Sequence, residues 1–100
     1  MEAACWPDQI KDAGMVQYNE WHFKDVPILA PDFDGPTIED PVNSDWATSQ
    51  LYNTLKASSS SGDADLMKSF AIRFLIHIIG DIHQPLHSSA YYSKQFPTGD

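Results

Sequence analysis

Residues 63–83 read DADLMKSFAIRFLIHIIGDIH, the longest apolar stretch of the sequence. Read as a helix, the stretch is apolar on nearly every side, a pattern typical of a helix at the centre of a core. Asp63 is placed to cap its start, and Pro85 is placed to kink or end it. One stripe of this helix carries Leu66, Phe70, Phe74, His77 and Asp81.

Two further segments have helical patterns. Residues 3–13, AACWPDQIKDA, predict a helix with Pro7 in the first turn, where its missing N–H has no partner to lose. Residues 44–58 predict a second helix, capped by Ser44 or Asn43. Its apolar face is formed by Trp46, Ala47, Leu51 and Leu55.

The remaining segments predict connections and no strand. Residues 15–23 allow either a short helix or an irregular approach to a site. Residues 26–43 contain four prolines and predict a long surface loop, and residues 58–62, SSSSG, predict a flexible link. No segment alternates apolar and polar residues as a half-buried strand does. The sequence therefore predicts an all-α fold.

Composition limits the possible functions. With 42% hydrophobic and 12% aromatic residues, the 100-residue chain is expected to be globular, as one domain at most or part of a larger one. A net charge of −8 argues against a basic surface that grips nucleic acid, although bound cations would supply positive charge inside an acidic shell. Cys5, the single cysteine, excludes an internal disulfide. The start shows no signal pattern and no stretch reaches membrane-spanning length, so a soluble chain without a membrane partner is expected.

His77 and Asp81 are four residues apart and project from one face of the predicted helix. One interpretation is a hydrogen-bonded core histidine with a carboxylate partner. However, a carboxylate among isoleucines is costly to bury without a matching positive charge, and Arg73 is the only cationic side chain nearby. An imidazole nitrogen and a carboxylate oxygen suit zinc, and His83 and His87 follow closely. Metal binding is therefore the favoured interpretation.

Further ligands are harder to choose from spacing. His22, in EWHFKD, is the only other histidine, and by itself it predicts a surface or core role. Asp8 differs from most acidic residues because it lies between Trp6 and Ile10 in an otherwise apolar helix. Spacing alone does not select either residue.

Three blocks together closely resemble the zinc-dependent single-strand-specific nuclease family, of the nuclease S-one/P-one type. They are CWPDQIK at 5–11, EWHFKD at 20–25 and HIIGDIHQPLH at 77–87, in the order in which the family has them. The last block is highly specific, and the resemblance spans residues 3 to about 90. Family members, which include plant class I nucleases and protozoan 3'-nucleotidase/nucleases, are commonly much longer. Residues 1–100 are therefore expected to be the N-terminal portion of a single zinc-dependent nuclease domain.

The resemblance implies an all-helical fold shared with zinc-dependent phospholipase C, with up to three zinc ions in a complete domain. Asp81 would also reach a second zinc, His87 matches a ligand of a remaining one, and His83 resembles a supporting residue. The residues that match the ligands of one complete zinc site are Asp8, His22, His77 and Asp81.

Three other positions match residues that do not bind metal. Asp25 resembles the carboxylate that orients the attacking water. Lys11 stands where the family often has an arginine that steadies charge on the phosphate, and it keeps the charge but lacks the bidentate fork. Phe23 matches an aromatic on which a nucleobase stacks. For Lys11 and Phe23, a solvated cation and a core aromatic remain equally open.

The implied function is that of a zinc-dependent endonuclease/3'-nucleotidase. Metal-activated water would hydrolyse phosphoester bonds of single-stranded DNA, RNA or 3'-nucleotides and leave 5'-phosphates. The family's initial tryptophan and its downstream histidine–aspartate pair have no match here, so the hundred residues are expected to bind at most one zinc well and to show little or no nuclease activity. Secretion or lumenal location is suggested by the family alone. The alternatives are a phospholipase C-like zinc phosphodiesterase and a truncated, non-catalytic metal-binding or structural remnant.

Overall fold

The computed structural model describes residues 2–57 and 62–100 of the chain. In chain order the elements are helix α1 (Glu2–Asp12), a first 3₁₀-helix (Val16–His22), strand β1 (Val26–Leu29), helix α2 (Ser44–Ala57), helix α3 (Gly62–Asp81), a second 3₁₀-helix (Pro85–His87) and strand β2 (Ser89–Tyr92). Helices account for most of the described residues, which confirms the all-α fold class. Among these residues, no helix combines the length and the apolar character needed to cross a membrane.

One face of α3 forms the centre of the core. Its Ala71, Phe74 and Ile78 have no exposed surface, and they pack against Ala47 and Leu51 of α2. The ring of Phe74 is surrounded by four other aromatic rings whose centroids lie 4.9–5.8 Å away, mostly edge to face. These rings belong to Trp6, Tyr18, Trp21 and Phe70. The core therefore joins α1, the first 3₁₀-helix and α2 to one side of α3.

The other side of α3 is uncovered, so the prediction of a helix buried all round is wrong. Ile72, Ile76 and Ile79, here named the isoleucine face, are 47%, 47% and 51% exposed. Leu66, predicted on the buried stripe, is 72% exposed. The apolar sequence of α3 offers two faces for packing, and the described elements of this chain pack on one of them.

The cap of α2 and the proline of α1 can be compared with the predictions. Asn43 is the cap of α2, because its Oδ1 accepts a hydrogen bond from the backbone N–H of Trp46 at 3.1 Å. Pro7 was predicted in the first turn of α1, but it lies in the second turn. Its ring is among the fully buried side chains, and this burial offsets the backbone hydrogen bond that proline cannot donate. Of the predicted link at 58–62, residues 58–61 lie outside the described residues, and Gly62 is the first residue of α3. The side chain of Asp63, the predicted cap, also lies outside what the structure describes.

Two short strands were not predicted from the sequence. β1 and β2 pair in parallel, from Val26 opposite Ser89 to Leu29 opposite Tyr92. β1 occupies the start of the segment that was predicted to be a loop. Four residues give too little periodicity to reveal a strand, and the partner strand lies about sixty residues away in the sequence. The pairing fixes the segment after His22 against the segment after His87, because the N–H of Lys24 also donates to the carbonyl of His87 at 2.8 Å.

Candidate metal centre

Four side chains from three elements converge beside the core. Asp8 comes from α1, His22 ends the first 3₁₀-helix, and His77 and Asp81 come from the last part of α3. Asp81 Oδ2 lies 2.9 Å from His22 Nδ1 and 3.0 Å from His77 Nε2. Asp8 Oδ1 lies 3.8 Å and 3.5 Å from the same two nitrogens. These residues are named the four-residue cluster.

The fold explains why the cluster forms. His77 and Asp81 are one helical turn apart, so α3 presents them side by side. The α1 helix packs along α3 and brings Asp8 to them, while the ring of Phe74 supports His22 with a centroid distance of 6.4 Å. His22 is 6% exposed and the Asp81 side chain 14%, whereas the Asp8 side chain is half exposed. The cluster therefore has a buried side and an open side.

The geometry of the cluster suits a divalent metal. The two imidazole nitrogens are 3.0 Å apart, and the nitrogen–oxygen separations span 2.9–3.8 Å. Ligand atoms held about 2.0–2.2 Å from a tetrahedral ion lie about 3.3–3.6 Å from one another, so these separations are close to those of a metal site. Asp8, His22 and His77 form a group that could hold a metal ion.

The charge of the cluster also favours a bound cation. The carboxylates of Asp8 and Asp81 bring negative charge into the cluster, and a divalent cation would neutralise it and so lower the cost of burying Asp81. Arg73, the cationic residue closest to Asp81 in the sequence, lies over the ring of Trp6 at 5.2 Å from its centroid. Arg73 is thus engaged elsewhere in the fold, and the cluster supports the interpretation of a cation site.

Backbone carbonyls orient two of the histidines. The Nδ1–H of His77 donates to the carbonyl of Ala4 at 2.6 Å, which leaves the lone pair on Nε2 facing the cluster. The Nδ1–H of His87 donates to the carbonyl of His22 at 3.0 Å. His87 Nδ1 also lies 3.5 Å from Asp81 Oδ1, so the two oxygens of Asp81 face different imidazoles.

The protonation of His22 is compatible with metal binding. Burial lowers the pKa of the His22 imidazole from its usual 6.5, and the opposing effect of the hydrogen bond and charge of Asp81 does not cancel it. His22 is therefore mostly neutral at pH 7. A neutral imidazole is the form that binds a metal ion.

Lys11 lies next to the cluster, whereas His83 makes no contact with it among the described residues. Lys11 Nζ is 3.4 Å from Asp8 Oδ1, one turn along α1, so its charge lies at the open side. His83 is exposed, and its Nδ1–H donates to the carbonyl of Ile79 at 2.6 Å. That contact ties His83, which lies in the turn after α3, to the end of that helix and not to a cluster residue.

Phe23 and Asp25 line a cavity of about 490 Å³ that begins next to His22. This volume is in the range of small-molecule sites. Within the described residues, no hydrogen bond or ion pair joins either side chain to the four-residue cluster. The predicted site residues thus lie at the four-residue cluster or line a neighbouring cavity.

Sequence reasoning missed the contributions of the backbone. The carbonyls of Ala4 and His22 set the ring orientations of His77 and His87, and neither residue type carries a signal for that role. The opposite wall of the cavity, formed mainly by residues 37–43, was also missed, because its position depends on a contact with β2. Neither feature has a local sequence pattern.

The chain is similar to known nucleases. The family model described as S1/P1 Nuclease matches residues 1–96. Endonuclease 3 of Arabidopsis thaliana is 33% identical over 97 residues, covering 87% of this chain and 31% of that protein. Nuclease S1 of Aspergillus oryzae is 32% identical over 88 residues, covering 84% of this chain and 30% of that protein. The chain thus spans under a third of the length of these curated relatives. No solved structure matches the chain significantly.

Proposed function

This chain belongs to the S1/P1 nuclease family, and we propose that it takes part in zinc-dependent hydrolysis of phosphoester bonds. The proposed reaction is that of an endonuclease/3'-nucleotidase acting on single-stranded DNA and RNA and on 3'-nucleotides, with 5'-phosphate products from the nucleic acid. Residues 1–100 would form the N-terminal portion of one catalytic domain.

The observation that supports this proposal best is the convergence of Asp8, His22, His77 and Asp81. Their two imidazole nitrogens lie 3.0 Å apart, and each lies 2.9–3.8 Å from a carboxylate oxygen of Asp8 and of Asp81, although the four residues come from three separate elements. Such a mixed nitrogen and oxygen set suits zinc better than magnesium or calcium, which prefer oxygen ligands. We propose that this cluster is one complete zinc site.

A second site would be shared. Asp81 Oδ1 faces His87 at 3.5 Å, while Asp81 Oδ2 faces His22 and His77. A carboxylate whose two oxygens point to different groups can bridge two ions. Because the Nδ1–H of His87 donates to the carbonyl of His22, the Nε2 of His87 would be the nitrogen that binds, and with Asp81 it would give part of a second site. The hundred residues alone would hold one zinc firmly.

The chain's own residues would then bind and orient the substrate. When bound, zinc supplies a Lewis acid that activates water and polarises the phosphate. Asp25 would accept a hydrogen bond from the attacking water and orient it. Lys11, whose ammonium lies at the open side of the cluster, would attract the phosphate by its charge.

A preference for single strands would come from Phe23. This ring lines the cavity next to His22, where the face of an unpaired base could stack on it. In a duplex the base faces are covered by neighbouring bases, so stacking would require unpairing. Stacking and metal–phosphate attraction would replace the basic groove that a net charge of −8 disfavours.

The proposal is tested in two steps. First, the zinc content of the purified hundred-residue protein is measured after zinc loading and dialysis, and one ion per chain is expected. Second, the part of this chain that matches Nuclease S1 from Aspergillus oryzae replaces its counterpart in that protein. The chimera is expected to release 5'-mononucleotides from single-stranded DNA and RNA, and to lose this activity with a chelator or with Asp81→Asn.

Each contrary outcome has a distinct meaning. A folded hundred-residue protein that retains no zinc would refute the metal site. A zinc-loaded, folded chimera that is inactive on single strands but cleaves a phospholipid head group would favour a phospholipase C-like enzyme. Strong nuclease activity of the hundred residues alone would refute the proposed division into one complete and one partial site.

A further inference from the structure

Tyr92 joins the end of β2 to the long segment that follows β1. Its hydroxyl oxygen accepts a hydrogen bond from the backbone N–H of Ile38 at 3.0 Å and lies 3.4 Å from the carbonyl oxygen of Ile38, to which its O–H donates. Tyr92 is 2% exposed, so this contact is buried. A single side chain therefore satisfies both backbone polar groups of one residue in a stretch without helix or strand.

The segment held in this way forms one wall of the cavity. Residues 37–43, here named the loop wall, face Phe23 and Asp25 across it. The loop wall ends where the N–H of Ser44 donates to the carbonyl of Phe23 at 2.9 Å, and it has no regular structure before that point. Ile38 is thus the place where the wall is attached to β2.

The surroundings of Tyr92 are adapted to hold its ring in place. The ring of Phe33 lies against it with a centroid distance of 5.7 Å. Gly99 lies against the hydroxyl end of the Tyr92 ring, because a Cβ at this position would lie 3.3 Å from Cζ of Tyr92. Gly99 also has a φ of +92°, which side chains other than glycine rarely tolerate. The chain therefore keeps space for the tyrosine ring and points its hydroxyl at Ile38.

We propose that Tyr92 is a positioning residue, which sets the distance between the loop wall and Phe23 and thereby the affinity of the cavity for a nucleotide. This inference rests on the proposed function, because it takes the cavity as the place where part of the nucleotide binds. Tyr92 also lines the cavity, but its hydroxyl is engaged by Ile38, and among the described residues no hydrogen bond or ion pair joins it to the four-residue cluster. Its hydroxyl therefore affects nucleotide binding and leaves metal binding unchanged.

The test compares Tyr92→Phe with Tyr91→Phe in the full chain. Both variants remove one phenol oxygen from β2, but Tyr91 is 44% exposed and lies outside the cavity lining, so it is a matched control. Two quantities are measured by NMR on zinc-loaded protein: the exchange rate of the Ile38 amide proton and the dissociation constant of 5'-AMP. Zinc affinity is measured separately by competition with a chelating dye.

In Tyr92→Phe, loss of the hydrogen bond at Ile38 is expected to speed exchange of its amide and to weaken 5'-AMP binding, each on the order of fivefold to tenfold. In Tyr91→Phe, the Ile38 exchange rate and the 5'-AMP dissociation constant are expected to stay within about twofold of wild type, the effect of a neutral surface change. The zinc affinity of both variants is expected to stay within the same range. The combination distinguishes a positioning role from general destabilisation, which would also weaken zinc binding.

Equal 5'-AMP binding by Tyr92→Phe and Tyr91→Phe would overturn the inference and leave the proposed function standing. A wild-type protein that holds zinc but binds no 5'-AMP would instead overturn the nucleotide role of the cavity, and with it the role of Tyr92. Weaker zinc binding in Tyr92→Phe would also overturn the inference, because Tyr92 would then support the whole fold.

Discussion

His22 and Asp81 are 59 residues apart in the sequence, yet His22 Nδ1 lies 2.9 Å from Asp81 Oδ2. Only the packing of the first 3₁₀-helix against α3 brings them together. The cluster therefore exists in the folded chain and not in the unfolded one. Metal binding and folding are expected to be thermodynamically coupled for this reason.

Replacement of Asp81 by asparagine tests the cluster directly. Asp81→Asn keeps the shape of the side chain but removes a negative charge and the stronger ligand. The zinc dissociation constant is expected to rise by at least about 100-fold, since loss of outer hydrogen-bond partners alone raises it about 10–100-fold. Isothermal titration calorimetry measures this constant. Asp65→Asn, an exposed change on the same helix, is the control, and equal affinity of the two variants would contradict the site.

Zinc is expected to stabilise the fold. A ligand at 100 times its dissociation constant that binds only the folded state adds about 2.7 kcal/mol. For a domain of this size such a gain raises the Tm by about 10–20 °C. Circular dichroism during heating measures the change, with magnesium at the same concentration as the control ion. His77→Gln is expected to abolish the shift, and a shift retained in that variant would place the zinc elsewhere.

The stability of the metal-free protein is expected to depend on the protonation of His22. Burial lowers the pKa of this imidazole in the folded state, so on acidification the unfolded state binds the proton first. The free energy of unfolding should therefore rise with pH through the region of about 6.5, the pKa of unfolded histidine, and fall below it. Urea unfolding at several pH values is the measurement.

His22→Gln should remove this contribution and flatten the profile near neutral pH. His83→Gln takes away an exposed imidazole that is not in the cluster, and it serves as the comparison. If the free energy of unfolding changes equally steeply with pH in His22→Gln and in wild type, buried His22 is not the source of the pH dependence.

Phe74 connects core stability with the site. It has no exposed surface, contacts four other aromatic rings and supports the ring of His22. Phe74→Ala is expected to lower the free energy of unfolding by about 3–5 kcal/mol, a large part of the stability of a small domain. Chemical denaturation measures the loss, and zinc affinity should fall with it. Phe96→Ala, at a 40% exposed position, should change stability far less.

The sequence predicted the features that depend on local spacing. His77 and Asp81 are one turn apart, so their proximity follows from the helix alone. The three main helices were predicted for the same reason, since each contains several turns of apolar periodicity. Asn43 was one of the two candidate caps, and its hydrogen bond to Trp46 confirms it.

Features that depend on distant contacts could not be derived in this way. Asp8 and His22 became candidates through resemblance to a family, because no spacing rule links them to α3. β1 and β2 are too short to have a recognisable pattern. The exposure of Leu66 was mispredicted for a related reason: periodicity identifies apolar faces of a helix but not which face a neighbour covers.

The isoleucine face also sets how the protein behaves in concentrated solution. At pH 7 a net charge of −8 keeps copies of the chain apart, while the half-exposed Ile72, Ile76 and Ile79 attract them to one another. Near the isoelectric point of about 4.6 the repulsion vanishes and the attraction remains. Sulfate salts strengthen the attraction further, so mild acid or ammonium sulfate should promote precipitation through exposed apolar surface such as the isoleucine face.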